Sequence, residues 1–200
     1  MKGAIEAPAL VLVGSSGRNA GKTVAACALI RAFKGRFPVT ALKATVAGRA
    51  GGCHRGRTDC GACSFSPDYV LEEEFDSLSG KDTARLLAAG AARVFWLRAS
   101  HSCLPGGFRA FLEKVPPGSL ILGESNSLRE AVRPGCFIML KNSSEKIKES
   151  ALRVAGLADI TVENKGAITE EAAESLASRL IIGKDRAGRL SVRPRETGRA

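Results

Sequence analysis

Aromatic side chains are scarce in this chain of 200 residues: they make up 5% of it, with one tryptophan and one tyrosine. Proteins that bind single-stranded nucleic acid stack bases on aromatic rings, so this scarcity argues against that class despite a formal net charge of +10. We therefore expect the positive surface to serve anionic small molecules rather than nucleic acid.

Long apolar runs are also lacking. No stretch approaches the roughly 18 apolar residues that a membrane-spanning helix needs, so no membrane association is expected. The N-terminal stretch MKGAIEAPALVLVG has an early acid and a proline, and its short apolar run leads into a glycine-rich turn. It predicts a first strand rather than a secretion signal, and hence a cytoplasmic protein.

Strand-like and helix-like segments alternate along the chain. The predicted strands cover residues 8–14, 38–44, 92–99, 118–124, 136–140 and 158–164. The predicted helices cover residues 21–35, 82–90, 106–115, 143–156 and 169–181. This alternation is typical of an α/β fold in which helices cover both faces of a mostly parallel sheet.

We expect one domain over residues 1–183, with an irregular insertion at 47–80. A basic tail follows at 184–200, which either adds a short strand or stays mobile.

The stretch GSSGRNAGKT (residues 14–23) lies between the first predicted strand and the first predicted helix. It fits the end of the G-x-x-x-x-G-K-[ST] pattern of a phosphate-binding P-loop, with a serine in place of the first glycine. In that pattern the lysine contacts the β- and γ-phosphates, the threonine binds Mg²⁺, and backbone N–H groups surround the phosphate oxygens. The predicted nucleotide-binding residues are Ser16, Gly17, Arg18, Asn19, Ala20, Gly21, Lys22 and Thr23.

A carboxylate at the end of a second strand commonly completes a Mg²⁺ site. Glu124 stands at the end of the apolar run LILGE and is the candidate for holding the metal's water shell or polarising a water. The predicted catalytic residues are therefore Lys22 and Glu124. A solvent-facing glutamate at a strand end is the alternative.

With these residues in place, the chain resembles the molybdopterin-guanine dinucleotide biosynthesis protein B family. That family is a branch of the P-loop NTPases and is similar to dethiobiotin synthetases and nickel-insertion GTPases. Besides the glycine loop, the segments that carry the resemblance are VTALKAT (39–45), GKDTARLLAAGA (80–91) and LILGES (120–125).

The resemblance implies a P-loop NTPase that binds GTP or ATP with Mg²⁺ and assists assembly of the molybdenum cofactor. A cofactor-assembly protein would be its partner, and a homodimer is compatible with it. Lys43, Asp82 and Arg85 would contact substrate or phosphate. From the residues alone, Lys43 also fits a surface lysine, and Asp82 and Arg85 fit a helix cap and a helix-face charge.

Three cysteines cluster in the polar stretch GGCHRGRTDCGACSF (51–65), where Cys53, Cys60 and Cys63 end in a C-x2-C pair. This spacing is shared by zinc and iron–sulfur sites, and Cys103 or His101 could supply a fourth ligand. A redox dithiol and incidental free thiols are the alternatives.

Three functions are compatible with the sequence. The first is slow, Mg²⁺-dependent NTP hydrolysis in metal-cofactor assembly, the second is an ATP-dependent small-molecule kinase or ligase, and the third is a non-catalytic nucleotide-sensing module with a metal-binding loop. The base stays open between adenine and guanine, because Asn164-Lys165-Gly166 is followed by Ala167 where the guanine-binding N-K-x-D motif has aspartate.

Overall fold

The computed structural model describes residues 3–46 and 69–196, in which strands and helices alternate. The strands are β1 (Ile5–Ser15), β2 (Val39–Val46), β3 (Tyr69–Glu73), β4 (Arg93–Ala99), β5 (Leu120–Glu124), β6 (Val132–Asn142), β7 (Ile160–Asn164), β8 (Leu180–Lys184) and β9 (Leu190–Pro194). The helices are α1 (Lys22–Phe33), α2 (Asp82–Ala88), α3 (Leu104–Leu112), α4 (Leu128–Ala131), α5 (Glu149–Leu152) and α6 (Glu170–Ser175). Short 3-10 helices lie at Ala155–Leu157 and Leu176–Arg179.

Seven strands form one sheet in the order β3-β4-β2-β5-β1-β6-β7, and β8 pairs with β9 in a separate hairpin. Every neighbouring pair in the large sheet is parallel except β3 with β4. The expected α/β fold with a mostly parallel sheet is therefore confirmed. Since β1 lies between β5 and β6, the glycine loop leaves the middle of the sheet.

Strand β1 faces two separate cores, because successive side chains of a strand point to opposite faces of the sheet. Val11 and Val13 pack on the α1 side, whereas Leu10 and Leu12 pack with Phe108 of α3 on the other side. These side chains are completely buried, and helices cover both faces as expected. Among the residues described, no helix is long and apolar enough to cross a bilayer.

The helix predicted over residues 143–156 is mostly absent. Only Glu149–Leu152 is α-helical, and Ala155–Leu157 forms a 3-10 helix. The residues before α5 bond to the glycine loop instead, where the Lys148 N–H donates to the Ser16 carbonyl at 2.8 Å. A tertiary contact thus replaces the first turns of the predicted helix.

The C-terminal region forms a hairpin that packs on the domain. The helix predicted over 169–181 is α-helical only over Glu170–Ser175, and the chain then turns through a short 3-10 helix into β8. Leu190 and Val192 of β9 are buried in the same core as α1. Of the two expectations for residues 184–200, a strand is the one that the described part adopts.

Candidate functional site

A cavity of about 880 Å³ opens at the carboxyl edge of the sheet, where β1, β2 and β5 end. Ligands of open α/β sheets bind in crevices of this kind. Of the predicted nucleotide-binding residues, all but Ser16 and Gly17 line the cavity. Its walls also include the other predicted site residues of the described chain near this edge, which are Lys43, Asp82, Arg85 and Glu124.

The backbone of the glycine loop requires small or tolerant residues at two positions. Gly21 has a φ of +86° and Asn19 a φ of +52°, in the left-handed region that glycine adopts freely and asparagine tolerates. A Cβ added to Gly21 would lie 2.7 Å from Ile168 Cγ2, so a larger residue would also collide there. Helix α1 begins at the next residue, Lys22, which places its N-terminal end against the cavity. A helix N-terminus in this position favours an anion.

The glycine loop is anchored by its carbonyl groups. The Ser16 carbonyl accepts from Lys148 N, and the Gly17 carbonyl accepts from Lys148 Nζ, both at 2.8 Å. The Ala20 carbonyl accepts from Ile168 N at 3.2 Å. No described peptide bond is cis, and the N–H of a trans peptide points opposite to its C=O. The N–H groups that follow these carbonyls therefore point away from the anchoring segment.

Lys22 and Thr23 place a cation and a hydroxyl at the start of α1. Lys22 Nζ donates to Ser15 Oγ at 2.7 Å, which holds the ammonium over the loop. Thr23 is buried, and its hydroxyl interacts with the carboxyl groups of Glu124 and Asp82, favouring the charged form of each. The loop cation and the two carboxyl groups are thus brought together around one helix end.

Glu124, the last residue of β5, is only 4% exposed. Burial raises the pKa of its carboxyl group above the usual 4.5, while the neighbouring charge of Lys43 opposes that rise and the charge of Asp82 adds to it. Within the described part of the chain, Glu124 Oε1 has no hydrogen-bond partner. The interpretation of Glu124 as a solvent-facing strand end is therefore wrong. A proton or a cation bound at this buried, unpaired oxygen would offset the free-energy cost of its burial.

Lys43 is the register neighbour of Glu124 on β2 and forms an ion pair with Asp82. Burial by itself would raise the pKa of the Asp82 carboxyl, but the hydrogen bond and charge of Lys43 lower it overall. Asp82 does not cap α2, because the N-cap residue is Lys81 and no side chain caps this helix. Arg85, one turn along α2, is exposed and lines the cavity. The pKa values of the two carboxyl groups are thus shifted in opposite directions, that of Asp82 downwards and that of Glu124 upwards.

The predicted cysteine site lies largely outside the described residues, which exclude Cys53, Cys60 and Cys63. Cys103 is described and directly precedes α3, and His101 nearby is 3.3 Å from Glu130. In residues 3–46 and 69–196, no three His, Cys, Asp or Glu side chains are grouped closely enough to hold a metal ion. The zinc or iron–sulfur site stays a prediction.

The remaining cysteines of the described chain, Cys27 and Cys136, are both buried in the core on the α1 side of the sheet. Burial raises the pKa of the Cys27 thiol to about 11 and that of Cys136 to about 12. Thiols with such pKa values are neutral at physiological pH and poor metal ligands. Both therefore pack as small apolar side chains.

Comparison with protein-family models, with curated proteins and with solved structures found no match. The glycine loop and the segments VTALKAT, GKDTARLLAAGA and LILGES each contribute residues to this one cavity.

Several further residues of the cavity were not predicted from the sequence, among them Asn126, Lys148 and Ser150. Asn126 follows β5 in the polar run ESNS, and polar residues just after a buried strand are a usable signal for a site. Lys148 and Ser150 gave no such signal, because their segment has the charge pattern of an exposed helix. Only the fold brings them to the glycine loop.

Proposed function

We propose that this chain binds a Mg²⁺–nucleoside triphosphate at the glycine loop and hydrolyses it slowly. The observation that carries the proposal is the meeting of Lys22, Thr23, Lys43, Asp82 and Glu124 in one cavity at the carboxyl edge of a parallel sheet. Two lysines and a helix N-terminus favour a polyphosphate, and the carboxyl groups favour a cation that accompanies it. The chain thereby acts by positioning and charge rather than by covalent chemistry.

The residues present fit a Mg²⁺ ion. Glu124 Oε1 is buried without a hydrogen-bond partner among the described residues, and the Thr23 hydroxyl lies beside this carboxyl group. Mg²⁺ takes one or two protein oxygens and keeps several waters, so this small donor set suffices. Thr23 and Glu124 would hold the ion or its waters, and the ion would neutralise phosphate charge.

The other charged groups have distinct tasks in this proposal. Lys22 contacts the β- and γ-phosphates while the loop amides surround them. Lys43, paired with Asp82, neutralises charge that develops on the transferred phosphoryl group. Arg18 and Arg85 line the cavity and add to its positive potential.

The finer proposal is a role in metal-cofactor assembly, of the molybdenum cofactor in the first instance. It is supported by the resemblance of four segments, all of which contribute to the cavity. An ATP-dependent kinase or ligase is the second candidate, because the cavity continues past Lys43 along Ala44, Thr45 and Val46 at the end of β2, where an acceptor has room.

The test is calorimetric titration with ATP and GTP, each with Mg²⁺ and with EDTA, followed by measurement of phosphate release. We expect Mg²⁺-dependent binding and slow release without any added acceptor, increased by a partner protein. Formation of nucleoside diphosphate that occurs only with a small-molecule acceptor, with the phosphoryl group on the acceptor or released after ligation, favours the kinase or ligase. Binding without turnover favours a nucleotide-sensing module, and no binding refutes the proposal.

A further inference from the structure

We propose that Asn126 is a positioning residue that keeps the glycine loop in register with Glu124. The inference rests on the proposed function, because alignment of the phosphate-binding unit with the carboxylate matters only if phosphoryl groups react there. Asn126 lies two residues after Glu124 and lines the same cavity.

The side chain of Asn126 joins three segments. Its Oδ1 accepts from Ser15 N at 2.8 Å, and its Nδ2 donates to the Ser15 carbonyl at 2.9 Å. Nδ2 also donates to Ser150 Oγ at 3.3 Å. The residue is 9% exposed, and a buried amide with all these partners has one fixed orientation.

These bonds extend the sheet beyond the end of a strand. The backbone pairing of β1 with β5 runs to Val13 and Glu124, and Ser125 N then donates to the Val13 carbonyl at 3.1 Å. Ser15 is the next residue of β1 whose backbone N–H and C=O point towards the β5 side. Both groups bond to the carboxamide of Asn126 instead of to a backbone peptide group. The side-chain amide thus replaces a further peptide of β5.

Gly14 makes room for this arrangement. A Cβ added there would lie 2.7 Å from Asn126 Oδ1 and 2.8 Å from two ring atoms of Phe137. The glycine that opens the loop is therefore required by the Asn126 side chain as well as by the ring of Phe137.

Asn126 connects the two halves of the site. Ser15, which it holds by both backbone groups, accepts the hydrogen bond of Lys22 Nζ through Oγ. The glycine loop and Lys22 belong to the unit formed by β1, the loop and α1, whereas Glu124 belongs to β5. Loss of Asn126 should leave the binding unit itself intact but loosen its alignment with Glu124.

The expected result is a split between kcat and KM. In Asn126→Ala, kcat for Mg²⁺–nucleotide hydrolysis should fall about 10- to 100-fold, the cost of a misplacement of roughly 1 Å, whereas nucleotide Kd should change by less than about threefold. Asn126→Asp keeps the acceptor for Ser15 N but places an oxygen against the Ser15 carbonyl, so it should not restore kcat. Equal loss of affinity and of kcat, or unchanged kcat, would overturn the proposal.

Asn142 provides the matched control. It is 5% exposed at the end of the neighbouring strand, and its Oδ1 accepts from Ser144 N at 3.0 Å and Gly166 N at 2.9 Å. Asn142→Ala therefore removes a buried amide with two hydrogen bonds and keeps the backbone N–H that donates to Ser16 Oγ. It should lower the free energy of unfolding comparably but keep kcat within about threefold, which separates positioning from stability.

Hydrogen exchange in the nucleotide-free protein separates failure of this inference from failure of the proposed function. Asn126→Ala should accelerate exchange in peptides that contain Ser15, and Asn142→Ala should not. Wild-type protein without turnover would refute the proposed function and the catalytic part of the inference. Unchanged hydrogen exchange at Ser15 in Asn126→Ala would refute the positioning role of Asn126.

Discussion

Replacement of Lys22 by alanine tests the phosphate site most directly. Lys22 Nζ donates to Ser15 Oγ at 2.7 Å and lines the cavity at the start of α1. An ammonium group has three N–H donors, so it can keep the Ser15 bond while it donates to phosphate oxygens. One charge-assisted bond contributes about 1.5–3 kcal/mol, so Lys22→Ala should weaken triphosphate binding about 10- to 150-fold.

The control for charge is Lys34→Ala. Lys34 directly follows the other end of α1 and donates to the Ala89 carbonyl at 3.1 Å, so this variant loses the same net charge far from the loop. Calorimetric titration with ATP, ADP and AMP, and with the guanine series, should show a large loss for Lys22→Ala with the triphosphates and little with the monophosphates. Equal affinity for ATP in Lys22→Ala and wild-type protein would refute the P-loop interpretation.

Three further predictions concern the carboxyl groups and the cysteines. Burial raises the pKa of Glu124 in the folded state above 4.5, so the unfolded chain loses this proton at a lower pH than the folded chain does. The free energy of unfolding therefore declines as pH rises from 4.5. Glu124→Gln should remove that decline, so its free energy of unfolding, measured with urea in EDTA, should exceed that of wild type at pH 7.5 and equal it at pH 4. The variant should also bind nucleotide but lose hydrolysis. An unchanged pH dependence of the free energy of unfolding would contradict a buried carboxyl group. Lys43→Ala should raise the pKa of the Asp82 carboxyl, measured by NMR titration, and an unmoved pKa would contradict the ion pair. Cys60→Ser with Cys63→Ser should abolish metal binding in elemental analysis and leave the far-UV circular dichroism unchanged, whereas global unfolding would indicate a structural zinc site.

The sequence predicted the central part of the fold well because local signals and tertiary structure agree there. The runs around Leu12 and Leu122 are apolar throughout, as strands buried on both faces are, and both lie within strands of the parallel sheet. The glycine-rich turn between β1 and α1 was equally predictable as a turn, since Gly21 adopts a positive φ there.

The helix predicted over residues 143–156 and two features of the site could not be judged correctly from the sequence, because they depend on tertiary contacts. The stretch around Lys148 has the charges and spacing of a surface helix, but its N–H and ammonium groups bond to the glycine loop, a contact that local propensity does not contain. The role of Asn126 depends on a partner 111 residues earlier in the chain. Glu124 was predictable as a strand-end carboxyl, but its burial required the positions of α1 and α2.

The placement of β1 between two late strands has a consequence for synthesis on the ribosome. Ser15 receives its partner Asn126 from 111 residues downstream, and Ser16 receives the Asn142 N–H from 126 residues downstream. The glycine loop emerges early, yet its shape cannot form until most of the chain has left the exit tunnel, because contacts of long sequence separation form late. The apolar strand that carries the loop therefore lacks its sheet neighbours until β5 and β6 have been synthesised, and an unpaired apolar strand is prone to aggregation during that time.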